Sequence, residues 1–124
     1  MVQHLIDTVS DIKGSKVHLV VGHKPDLVKN SLDVKKNTGF INQKNQLGTG
    51  HAVRQTLQHL RSNSISLVLY GDGPLVKKST LTKLISSAQK GNLSILTYRP
   101  KSPQGLGRIV RGKRGLVEQI IEEK

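Results

Sequence analysis

KVHLVVGHKPDLVK, residues 16–29, is the stretch on which the fold turns. Val17, Leu19, Val20 and Val21 alternate little, which is the pattern of a parallel strand covered on both faces. The run stops at Gly22, and Pro25, whose fixed φ suits the first turn of a helix, opens a short helix directly afterwards. A strand from Lys16 to Val21 followed by a helix is the first half of a βαβ unit, the repeating element of parallel sheets.

Reading outward supports this. Towards the amino terminus, Val2, Leu5, Ile6, Val9 and Ile12 recur at helical spacing, so residues 2–13 are expected to form an amphipathic helix ended by Gly14. Towards the carboxyl terminus, Phe40 and Ile41 mark a brief second strand. The glycine-rich stretch Gln46 to Ala52 then leads into a helix from Val53 to Leu60, where Val53, Leu57 and Leu60 share a face.

Ser64 to Tyr70 is the most apolar strand candidate, with Ile65, Leu67, Val68 and Leu69, and it breaks at Gly71-Asp72-Gly73-Pro74. Ser79 or Thr80 then begins a helix carrying Leu81, Leu84 and Ile85. A strand from Leu93 to Tyr98, a Pro and Gly loop from Pro100 to Gly107, and two strands, Arg108 to Arg111 and Leu116 to Ile121, complete the chain. Gly112-Lys113-Arg114-Gly115 joins the last two as a hairpin. Strands alternating with helices predict an α/β sandwich with a mostly parallel sheet, in which ligands sit outside the carboxyl ends of the strands.

The 124 residues suit one domain, and the absence of cysteine excludes disulfides, thiolate metal sites and a thiol nucleophile. MVQHLIDTVSDIK lacks the basic-then-apolar order of a signal peptide, and no run approaches a membrane span, so a soluble, cytoplasmic chain without membrane partners is expected. Twenty Lys plus Arg against eight Asp plus Glu give a formal net charge of +12, a field that attracts phosphates of any kind. Nucleic acid is disfavoured as the partner. Phe40, Tyr70 and Tyr98 are too few for a stacking platform, and the basic residues are scattered rather than gathered into a stripe.

Two loops fall where the sheet rule puts a ligand. In QLGTGHA, Gln46 to Ala52, Gly48 and Gly50 allow close backbone approach to a flat or anionic ligand, and the following helix start offers unpaired N–H groups. It is not a P-loop, because the Gly-Lys-Ser/Thr ending is absent. In YGDGPL, Tyr70 to Leu75, Asp72 is placed to hold a hard divalent cation whose other partners are phosphate oxygens, although one carboxylate makes no dedicated magnesium cage. The histidines at 4, 18, 23, 51 and 59 show no metal spacing, and none is assigned to zinc or to acid–base work.

MVQHLID, QLGTGHA and YGDGPL, in that order, resemble the uridyltransferase domain of the bifunctional bacterial enzyme that makes UDP-N-acetylglucosamine. SPQGLGRIVR and GLVEQIIEEK resemble that family's later loop and ending, so the likeness covers nearly the whole chain. The resemblance implies a Rossmann-like nucleotide-diphospho-sugar transferase sandwich and the substrates UTP and N-acetylglucosamine 1-phosphate, with Mg2+ as cofactor. It also implies roles: Gln43 and the Gly48 backbone on uracil, Thr49 beside the nucleotide sugar, and Tyr70, Gly71 and Asp72 at the centre, with Asp72 as catalytic metal ligand. Gly107 would present its backbone to the acetamido sugar and Glu122 would bond sugar hydroxyls, while Lys124 matches a basic position of the family.

The departures generate expectations of their own. Members of the family begin with a strand and a loop of the form LAAGxGTRM, followed by a lysine in PKVLH, and this sequence starts after both. It also stops before the asparagines that complete the sugar and metal sites, and carries no acyltransferase domain. A truncated sandwich lacking its first strand is expected, in which the empty slot lies between the strands at 16–21 and 64–70. Unpaired apolar edges, low stability and weak or absent turnover would follow, with uridine-nucleotide binding as the alternative function.

Overall fold

The computed structural model describes residues 1–73 and 75–123. The chain falls into two compact units, Met1–Leu93 and Ser94–Lys124, each with its own two-stranded sheet.

The first unit is built on a parallel pair, β1 (Val17–Val21) and β2 (Thr38–Asn42), in register from Val17 opposite Thr38 to Val21 opposite Asn42. The ladder is bracketed at its ends: Val17 N–H donates to the Asn37 carbonyl at 2.9 Å and Gln43 N–H to the Val21 carbonyl at 2.8 Å. Helix α2 (Pro25–Asn30) joins the two strands, with its proline at the start of the first turn as read from the sequence.

Helix α1 (Val2–Ser10) packs on β1 and buries Leu5 and Ile6. From the same helix, Gln3 clamps the chain after α2. The Gln3 amide donates to the Asp33 carbonyl at 2.8 Å while its oxygen accepts from Asp33 N–H at 3.0 Å. The helix is shorter than the periodicity of residues 2–13 suggests. After Ser10, Ile12 N–H reaches back only three residues, to the Val9 carbonyl at 2.9 Å, and Gly14 at φ +78° turns the chain out.

Helix α3 (Thr49–Arg54) starts inside the stretch read as loop, because Gly48 at φ +93° lets the chain turn directly into it, and a short 3-10 turn, Leu57–His59, follows. Helix α4 (Lys78–Ala88) contributes Leu81, which has no exposed surface. Leu5, Ile6, Val21 and Leu81 are the buried apolar side chains among the described residues, a small core in which each contributes about 1.5–3 kcal/mol.

The strands expected at Ser64–Tyr70 and Leu93–Tyr98 are absent as strands among the described residues; the only ladders are β1 with β2 and β3 with β4. Apolar content marks a segment that would gain from being covered, but a strand exists only where a neighbour completes its hydrogen bonds. Among the described residues 64–70 finds no such neighbour. Its apolar side chains are correspondingly open, with Val68 59% and Tyr70 65% exposed.

The second unit is a hairpin of β3 (Arg108–Arg111) and β4 (Val117–Ile121), antiparallel with an irregularity at Val110/Arg111. Gly112 N–H closes the turn on the Leu116 carbonyl at 3.0 Å, and Gly115 supplies the positive φ, +73°, that the turn requires. Lys124 and Pro74 of the YGDGPL turn lie outside the described residues. Among the described residues no helix is long and apolar enough to cross a membrane.

One contact makes the first unit sensitive to pH. His18 on β1 stacks on His59, with ring centroids 5.2 Å apart. Burial, the His59 ring and Lys16, in that order, hold the His18 pKa below its ordinary value. A histidine that resists protonation when folded binds fewer protons than in the unfolded chain, so its contribution is complete above pH about 6.5 and is lost as the pH falls through the lowered folded value. The urea midpoint is therefore expected to be lower at pH 5.5 than at pH 7.5, with a smaller difference in His18→Asn. Equal pH slopes in the two proteins would rule the coupling out.

Candidate functional site

At the carboxyl ends of β1 and β2 a pocket of about 320 Å³ is lined by Gly22, His23, Gln43, Gln46, Gly48, Thr49 and Ala52. Its position follows from the ladder. Gly22 is the residue after β1 and Gln43 the residue after β2, so both strands deliver their next residue to the same rim, as open α/β sheets do. A Cβ built on Gly22 would lie 3.0 Å from Gln46 Cγ, so the Gln46 side chain rests against a surface only glycine offers.

Gln43 is the buried polar residue of the unit, 8% exposed. Burying a carboxamide is tolerated when its hydrogen bonds are made. Its Nε2 donates to the Gly48 carbonyl at 3.2 Å and lies 3.0 Å from His51 Nδ1. Gln55 Nε2 in turn lies 3.0 Å from the other ring nitrogen, His51 Nε2. The carboxamide oxygen of Gln43 accepts nothing from the described residues. Gly48 caps α3 and Thr49 is its first residue, so the backbone N–H groups of the first turn also open on this end of the helix.

Three of the residues expected to hold the nucleotide, Gln43, Gly48 and Thr49, are thus brought together. Tyr70, Gly71 and Asp72 are not among the lining residues. They form a tight turn, in which Gly73 N–H donates to the Tyr70 carbonyl at 3.2 Å, and Tyr70 and Asp72 are exposed. Gly71 is needed there for a close approach: a Cβ on it would stand 3.2 Å from Val2 Cγ2 of α1. In the second unit, Gly107 and Glu122 do meet, since a Cβ on Gly107 would be 3.2 Å from the Glu122 carboxylate. Beside them Glu123 accepts from Gly105 N–H at 2.5 Å and pairs with Arg108 at 3.4 Å.

For a metal the donor set is thin. Among the described residues no three His, Cys, Asp or Glu side chains come together, and Asp72 stands as one exposed carboxylate. That does not fit a resident Mg2+ cage. It fits an ion that arrives on phosphate oxygens and keeps most of its water, which is how Mg2+ is commonly held.

Sequence reasoning passed over His51, Gln55 and Gly22. The signal for His51 was its place inside QLGTGHA, one turn into the helix that carries the loop; for Gln55 it was the i to i+4 spacing from His51.

The chain matches the MobA-like NTP transferase domain over residues 1–121. It is similar to proteins named bifunctional protein GlmU. It is 43% identical over 124 residues to that of Marinobacter nauticus, covering 100% of this chain and 27% of the relative. With that of Ruthia magnifica it shares 46% identity over 118 residues, 94% of this chain and 26% of the relative. With that of Francisella tularensis subsp. novicida it shares 40% over 124 residues, again 27% of the relative. The chain thus spans about a quarter of the length of these relatives.

Two neighbouring glycines separate backbone strain from open space. Gly48→Ala places a side chain at φ +93° and is expected to cost about 1–3 kcal/mol. Gly50→Ala, inside α3 with nothing within 4 Å of its Cβ, is expected to be neutral or stabilising by up to about 1 kcal/mol. Chemical denaturation of both variants checks the contrast, and a Gly50→Ala as damaging as Gly48→Ala would contradict it.

Proposed function

Because the chain belongs to the MobA-like NTP transferase domain family, we propose that its pocket takes the base and ribose of a uridine nucleotide and that it derives from a sugar uridyltransferase. The observation that carries the reading is the convergence of Gln43, Gly48 and Thr49 on one pocket at the carboxyl ends of two parallel strands. The name of the GlmU relatives, together with the motif order, supports UTP and N-acetylglucosamine 1-phosphate as the substrates. The reaction would form a bond from the sugar phosphate oxygen to the α-phosphorus of UTP and break that phosphorus's bond to the leaving pyrophosphate.

In that reading Gln43 and the Gly48 backbone hold uracil and Thr49 stands at the ribose. Gly107 and Glu122 would offer a backbone N–H and a carboxylate to the N-acetylglucosamine, and Tyr70, Gly71 and Asp72 would serve the phosphates. Mg2+ would be carried in on those phosphates, supplying charge neutralisation, with Asp72 as one ligand. A second reading, binding without turnover, is favoured by a specific observation: the Tyr70–Asp72 turn does not line the pocket that holds the other three residues.

Calorimetry with UDP-N-acetylglucosamine tests the shared part of both readings. Saturable heat, weakened about tenfold or more in Gln43→Ala, is expected; no heat at millimolar ligand would remove both. A coupled pyrophosphate-release assay with UTP and N-acetylglucosamine 1-phosphate then separates them, and turnover by the 124 residues would decide for the enzyme.

The metal has its own check. Mg2+ alone is expected to give no binding signal, while Mg2+ is expected to strengthen UTP binding in the native chain and not in Asp72→Asn. An equal Mg2+ effect in both proteins would dismiss Asp72 as a ligand.

A further inference from the structure

The Gln43–His51–Gln55 chain carries more than packing. Gly48's carbonyl, 3.2 Å from Gln43, can only accept, so the end of the Gln43 carboxamide that faces it is the NH2. The same NH2 group lies 3.0 Å from His51 Nδ1, which must therefore present its lone pair. A neutral imidazole has one proton, so it sits on Nε2. That N–H faces Gln55, whose carboxamide must turn its oxygen to it.

Gln55 is the member that yields. Turning it over loses only a marginal contact, 3.5 Å to the His51 carbonyl. Turning Gln43 over would instead set its oxygen against the Gly48 carbonyl oxygen at 3.2 Å, in a part-buried position. The relay thus has one consistent arrangement, and it leaves the oxygen of the pocket-lining Gln43, not its NH2, as the end without a donor among the described residues.

We infer that His51 is a positioning residue that sets base specificity: by accepting from Gln43 it keeps an acceptor oxygen available to the ligand and so selects a pyrimidine bearing a ring N–H, as uracil does, over cytosine. This rests on the reading that the pocket takes a nucleotide base. Uracil N3–H donates to the oxygen, whereas cytosine N3 is itself an acceptor and meets it lone pair to lone pair. A site that offers an oriented acceptor rejects a ligand without the matching donor better than shape alone does. Without His51 the Gln43 amide is held by the 3.2 Å contact to the Gly48 carbonyl alone, so its orientation is fixed less firmly against either base.

The test uses the full chain and two ligands, UDP and CDP, in calorimetry on the native protein, His51→Leu and His51→Asn. The native chain is expected to favour UDP by about tenfold or more, and His51→Leu to bring the two within about twofold. His51→Asn, whose Oδ1 can accept where Nδ1 did, is expected to restore the preference. Should His51→Leu fold poorly, long-range 1H–15N correlation on the native chain reads the same arrangement directly as a neutral ring protonated at Nε2.

An Nδ1-protonated tautomer, or an unchanged UDP/CDP ratio in His51→Leu, overturns this inference and leaves the base pocket standing. A native chain that binds neither nucleotide removes the pocket reading, and the inference with it.

Discussion

The constraint on which the first unit depends is the pairing of β1 with β2. Five residues of each strand stand in register, and the ladder runs one hydrogen bond further, from Gln43 N–H to the Val21 carbonyl. That last bond fixes where β2 ends and hence where the Gln43 side chain leaves the backbone. Gln43 then ties the QLGTGHA loop to the strand end through the Gly48 carbonyl and His51. A polar group this buried is tolerable only with its donors occupied, and the loop geometry supplies the acceptors. The ladder, the loop and the pocket are in this sense one arrangement, and disturbing the pairing would dissolve all three.

How much of this was legible in the sequence depends on whether the deciding interaction was local. Residues 16–29 read correctly as strand, glycine and proline-led helix because each signal acts within a few residues: apolar β-branched side chains, a chain-turning Gly22, a φ fixed by Pro25. The closing hairpin was equally readable from its glycines. The segments at 64–70 and 93–98 were misread for the opposite reason. Their apolar character is local, but strand formation needs a neighbour, and neither segment finds one among the described residues.

For the site, the motif delivered Gln43, Gly48 and Thr49 to one place, and Gly107 and Glu122 to another, because the first set lies within seven residues of chain and the second flanks the two strands of one hairpin. What could not be read was a relationship between elements. Whether the turn at Tyr70–Asp72 stands against the base pocket depends on the sheet that should hold both, and that sheet is two strands wide here. His51 was missed because attention to histidines went to metal spacing, whereas its role is to spend both ring nitrogens on carboxamides.

On the proposed reading, contacts to the base and contacts to the phosphates would contribute differently to binding and to rate. Contacts to uracil and ribose are the same before and during phosphoryl transfer, so they add affinity without lowering the barrier. Rate comes from groups aimed at the charge that develops on the phosphates. In this chain the buried, hydrogen-bonded Gln43 lines the proposed base pocket, while Asp72, proposed for the phosphates, is one exposed carboxylate and the net charge of +12 is diffuse. A diffuse positive field draws polyphosphates closer but is screened within about 8 Å at physiological salt and orients nothing. On the proposed reading the hydrogen-bonded Gln43–Gly48–His51 part would serve recognition of a nucleotide, and the part that would accelerate its reaction is the less organised one.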